Sequence, residues 1–169
     1  MAIVRKDILL SGYNGNLESV KIHNNAGTTK VESTNGVFVV VEGLLEGRET
    51  KKARLAGATD STKDVLFIHN SEVMYDERLQ KLADFRIKAD KVARAYRLAD
   101  GDILTLTTDL FSGVVAVGDK LLVKANGLIG KPAVAGDVAL AKVVFEVIED
   151  CGFELDEKMG SFAVQISRN

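Results

Sequence analysis

Few side chains in this sequence are suited to chemistry: two histidines, His23 in "KIHNNAG" and His69 in "LFIHNSE", and a single cysteine, Cys151. A thiol becomes a nucleophile when a histidine takes its proton and a carboxylate orients that histidine. A His/Cys/Asp set can be drawn from these residues, but no spacing motif joins them, and a solvated or structural histidine at a strand end is the simpler reading. The run "EDCGFELDEKMG" places Glu149, Asp150, Glu154, Asp156 and Glu157 within nine positions, which suggests oxygen ligands for a divalent cation. It lacks the alternating ligands and central glycine of a calcium loop, so a charged hairpin accounts for it better. The same carboxylates disfavour a thiolate at Cys151. No glycine-rich phosphate-binding motif is present. These residues predict no enzyme, no metal and no cofactor.

The basic run Arg48, Lys51, Lys52 and Arg54, joined by Arg94 and Arg97 on a later strand, is the one feature that could meet phosphate. Small barrels bind nucleic acid through basic grooves lined with aromatics. Here Glu49 interrupts the run, aromatic partners are missing, and there is no tryptophan. The formal charge is −2, from 22 basic and 24 acidic side chains, so no general field draws in nucleic acid. A salt-bridged rim against a protein partner, or a plain solvated face, fits these residues better, and nucleic-acid binding is the alternative.

The elements that must position these groups are mostly strands. Residues 1–35 are polar and turn-rich and are expected to form an extended arm, with Ile3, Val4, Ile8 and Leu9 as apolar anchors that could lie in a neighbour's groove or add a strand to it. The same strands could equally complete the sheet of their own chain. Residues 37–41 read as a buried strand, 65–69 as another short strand, and 48–54 as a basic, exposed continuation. One helix is expected over 75–88, "YDERLQKLADFRIK", with acids at its start, bases at its end and Tyr75, Leu79, Leu82 and Ala83 on one face.

From residue 91 the pattern is β. Three turns share a Gly-Asp form, "ADGD" at 99–102, "VGD" at 117–119 and "AGD" at 135–137, and each precedes an apolar run, the third a strand over 138–149. The end, "SFAVQISRN", alternates as a half-buried antiparallel strand. The whole is expected to be mainly β: a small antiparallel barrel or sandwich with one helix and an extended N-terminal arm. The expected division is an arm at 1–35, strands and the helix at 36–90, and a barrel-like module at 91–169.

With 169 residues, 46% of them hydrophobic, the chain can bury a sizeable core, and one cysteine rules out an intrachain disulfide. No apolar run approaches the length of a membrane span, and the first residues lack a signal-peptide pattern.

The order of the pieces "SGYNGNLESVKIHNNAG", "GDILTLT", "VGDKLLVKANGLIGKPA" and "VALAKVVFEVIEDCGFELDEKMGSFAVQIS" resembles the small capsid-associated proteins of tailed bacteriophages, of the head decoration or cement type, chiefly over residues 88–169. The resemblance implies a structural virion protein, made in the host cytoplasm and bound to the capsid exterior. It would act as a trimer or dimer on the lattice of the major capsid protein and stabilise it. The resemblance carries over no binding residues; from the residues themselves, Ile3, Val4, Ile8 and Leu9 are candidate anchors, and Arg48, Lys51, Lys52 and Arg54 candidate rim contacts.

Overall fold

The computed structural model describes residues 3–8, 16–45, 49–72 and 84–168. Its fold is mainly β and consists of two units that share one core.

The first unit is a closed barrel of five strands: β2 (Leu17–His23), β3 (Phe38–Leu44), β4 (Lys51–Leu55), β5 (Leu66–Ile68) and β6 (Ala93–Arg97), in the ring order β2-β4-β3-β5-β6. All neighbours are antiparallel except β2 and β4, which run parallel with Ile22 opposite Ala53. Closure leaves no open edge. The inward side chains are those the alternation assigns: Val20 and Ile22 from β2, Ala53 from β4, and Ala93 and Ala95 from β6 are all buried. Small alanines on two strands leave room for Phe38 and Phe67, whose ring centroids are 5.6 Å apart.

The second unit is a curled sheet in the order β1-β7-β11-β10-β8-β9, built from β1 (Val4–Ile8), β7 (Ile103–Thr107), β8 (Lys120–Val123), β9 (Ile129–Gly130), β10 (Val143–Gly152) and β11 (Ser161–Arg168). A parallel bridge between Ile129 and Phe111, just beyond β7, carries the far edge back toward its start. The two units meet at Phe145 of β10, whose ring packs edge-on against Phe38 at 4.8 Å. Gly127 seals the seam. Its amide donates to the Ala56 carbonyl at 2.8 Å, and a methyl group there would lie 2.5 Å from the Phe38 carbonyl oxygen.

All three Gly-Asp turns fold by one device, and "GATD" at 57–60 repeats it. In each the aspartate carboxylate accepts the backbone N–H three residues earlier: Gly57 at 2.8 Å, Ala99 at 2.8 Å, Ala116 at 2.6 Å and Val134 at 3.2 Å. The aspartate N–H donates in return to the carbonyl of that same residue. Gly101 and Gly118 hold φ of +87° and +88°, which a side chain rarely tolerates, and the next strand follows directly. Gly136 is right-handed instead, at φ −66°. The third turn therefore continues into one turn of helix, α1 (Asp137–Leu140), and the strand expected from residue 138 starts at Val143.

Several expectations are displaced. Of the two readings of the first 35 residues, the structure has the one in which their strands complete this chain's own sheets: β1 runs antiparallel to β7, with Val4 opposite Leu106, and β2 is a barrel strand. An exposed β7 edge is the physical reason, because the apolar start of the chain covers it. The closed barrel occupies 17–97, not 91–169, and the later residues form the curled sheet. Most of the helix expected at 75–88 lies outside the described residues, but its last part is extended, since Ile87 bridges Ser33. Among the described residues α1 is the one α-helix, and no helix is long and apolar enough to cross a membrane.

Candidate functional site

The basic run lies on β4, where parallel β2 and antiparallel β3 flank it with carboxylates. Lys51 meets Glu18 at 3.0 Å, Lys52 meets Glu42 at 3.7 Å, and Arg54 bridges Glu42 at 3.0 Å and Asp60 at 2.7 Å. Arg54 grips both oxygens of Asp60, whose side chain is almost wholly buried. Those hydrogen bonds outweigh the upward push of burial and, with Lys63 and the Gly57 N–H, hold the Asp60 carboxyl far below the ordinary range. Burial pushes Glu18 upward, but hydrogen bonds and charge from Lys51 and Arg97 outweigh it and lower its pKa. The run expected to be an exposed continuation is thus half-buried and neutralised, because sheet pairing places an acid beside each described base. Arg48 lies outside the described residues.

Of the apolar anchors, Ile3 and Val4 are buried in this chain's own core, and the Thr107 hydroxyl bonds both the N–H and the carbonyl of Ile3. Ile8 pairs across from Ile103 at the end of β1, and Leu9 lies outside the described residues.

The histidines and the cysteine do not converge. His23 ends β2 with Nδ1 3.0 Å from the Lys21 carbonyl, His69 follows β5 and stacks on Phe67, and Cys151 sits toward the end of β10 in the other unit. His23 also lines a groove of about 650 Å³ between barrel and sheet, together with Asn24, Arg54, Asp60 and Asn126. A general base works best with a pKa near the working pH, and Asp60, locked to Arg54, is far from it. Among the described residues no group of three or more His, Cys, Asp or Glu is placed to hold a metal ion.

The exposed surface of the curled sheet is different in kind. Of the nine large apolar side chains that are exposed among the described residues, six lie between Val114 and Phe153. Val114 is 91% exposed, Leu140 73% and Phe153 66%. The loop 112–119 is fixed against β10, since Gly118 donates to the Val147 carbonyl at 2.7 Å and Val147 donates to the Asp119 carbonyl at 3.0 Å. Lys131 ties the same loop to the next through Asp119 at 2.8 Å, a contact that holds the Asp119 carboxyl below its ordinary range.

Beyond it the β10–β11 hairpin runs past its neighbour. Strand β8 pairs only with Phe145 and Glu146 of β10, whereas β11 follows β10 to Gly152. Register shifts at Val147/Glu149 and at Asp150/Gly152 bulge the strand. The Asp150 and Asp156 carboxylates accept backbone N–H groups within the tip and fix its shape. From 146 to 158 the chain carries six carboxylates and one lysine. Among the described residues none of Glu146, Glu149, Asp150, Asp156 and Glu157 is in an ion pair, in contrast to the barrel's basic run. The charged hairpin was legible in the sequence, but the approach of Val117 to Ile148 was not, because it arises only from β10's pairing with the preceding loop.

Comparison with protein-family models, with curated proteins and with solved structures finds no match to this chain.

Proposed function

We propose that this chain is a structural virion protein that binds the outside of an assembled capsid, of the head decoration type of tailed bacteriophages, and stabilises that shell. The observation that carries the reading is the concentration of exposed apolar side chains on the outer loops and hairpin of the curled sheet. Large apolar side chains left exposed on a well-packed molecule mark a protein contact where they cluster. On a repeated lattice, modest contact area is used many times, so avidity supplies what one interface lacks. Such a role needs a rigid body that presents a surface, and a closed barrel sharing its core with a curled sheet provides one. The partner is the lattice of the major capsid protein, met on the capsid exterior after synthesis in the host cytoplasm, and the chain acts there as a small homo-oligomer, a trimer or dimer. The alternative, a basic barrel that binds nucleic acid, has less behind it, because the described bases of β4 are already paired with acids.

The test is sedimentation of the purified chain with DNA-free shells assembled from the major capsid protein of the same genome. Saturable pelleting at a fixed ratio to the capsid subunit is expected. Absence of pelleting at about 100 μM chain, where even weak contacts register, would contradict the proposal. A steep fall of binding to DNA between about 50 and 200 mM salt would favour the nucleic-acid alternative.

A further inference from the structure

We infer that the β10–β11 hairpin and the loop beside it form the docking surface, with the exposed apolar side chains of Val114, Val117, Ile148 and Phe153 among carboxylates, and that its complement is a protein surface with an apolar socket edged by lysine and arginine. For the identity of that protein the inference rests on the capsid reading; for the surface it rests on the features below.

Three features of the hairpin point the same way. Phe153 stands 66% exposed at a tip whose turn is fixed by the Asp150 and Asp156 carboxylates, so a large apolar group is held in place away from the core. Rigid, exposed aromatics are the residues that most often anchor an interface. The outer edge of β10 beyond Val147 is bulged twice, which twists it away from strand addition, so recognition falls to side chains. Finally, the charge here is unbalanced: among the described residues Glu149, Asp150, Asp156 and Glu157 are in no ion pair, and Lys158 is the one base over 146–158, in a chain whose total is only −2. Across a two-fold axis a second copy of this chain would bring the same acids to the contact and be repelled, and so would a phosphate backbone. A basic protein surface is the complement.

The experiment has two arms, both on the full chain. In the first, the isotope-labelled protein is titrated with an amphipathic peptide of alternating lysine and leucine and, separately, with its glutamate–leucine counterpart, and amide shifts are mapped. Shifts confined to residues 114–118 and 146–158 with the basic peptide, and absent with the acidic one, are expected. Shifts elsewhere, or equal shifts with both peptides, overturn the inference. In the second, Phe153→Ser and the double reversal Glu149→Lys, Glu157→Lys are sedimented with shells, after circular dichroism has confirmed an unchanged fold. Phe153→Ser should weaken binding about 30-fold, the effect of losing one interface anchor. The reversal should weaken it and remove its salt dependence. Shells that bind both variants like the parent overturn the docking surface and leave the capsid reading standing. Shells that bind nothing, while the basic peptide still moves the hairpin, overturn the capsid reading and uphold the surface. A concentration-dependent dimer lost in Phe153→Ser makes a second copy the occupant and overturns the basic partner.

Discussion

Asp60 concentrates the electrostatics of the barrel in one side chain. Its carboxylate accepts from Arg54, Lys63 and the Gly57 N–H, and its folded pKa lies below the unfolded value of about 3.9. Its contribution is therefore complete above that value and is lost as pH falls through the folded pKa. Asp60→Asn should cost roughly 2–4 kcal/mol at neutral pH by leaving Arg54 half-partnered. Urea titrations at neutral and acidic pH should show the gap between parent and variant narrowing below about pH 4. A gap that stays constant to about pH 2 would rule out the carboxylate as the source. Buried Asn35 does similar work without charge: its amide donates to the Asn70 carbonyl at 2.9 Å and to Glu72 at 3.0 Å, and its oxygen accepts from the Asn70 N–H at 2.8 Å. Asn35→Leu should destabilise by roughly 1–3 kcal/mol in the same titration, since it leaves part-buried backbone groups of Asn70 unpaired. The Gly-Asp turns were legible in the sequence because their bonds span three residues. The partners of Asn35 and Lys51 were not, because they lie far off in the chain and are set by which strands lie side by side.

At the scale of elements the same division holds. Strands β3, β5, β7, β8 and β11 follow from β-branched and aromatic runs between turn residues. Local pattern is silent on which strand pairs with which. The parallel neighbours β2 and β4 are separated by β3 in the chain, and β1 finds β7 across about a hundred residues, so neither pairing leaves a mark in any short window. The basic run looked exposed for the same reason: its acidic partners Glu18 and Glu42 sit on the flanking strands. The segment around Gly127, which joins the units, is a test of this layer. Gly127→Ala would force a methyl group into the Phe38 backbone from a left-handed conformation at φ +71°. It should lower stability by roughly 2–3 kcal/mol in a denaturant titration. A neutral outcome would mean that barrel and sheet do not meet as closely as described.

Across the whole molecule the barrel and the curled sheet share one hydrophobic cluster, and Asp64 pairs with both Arg97 of β6 and Arg168 of β11. One core implies one cooperative transition. Phe145→Ala, which removes the ring that meets Phe38, should cost roughly 3–5 kcal/mol and lower the single melting transition of both units together. Two separate transitions in calorimetry would show that the units fold independently. The function proposed for this rigid body is to present the β10–β11 hairpin to a repeated protein surface and to hold that surface together. The most direct measurement is calorimetry of DNA-free capsid shells with and without saturating chain. The account predicts that the chain raises the melting temperature of the shell and that Phe153→Ser, at the same concentration, does not. A shell that melts at the same temperature with the parent chain as without it would contradict the central claim.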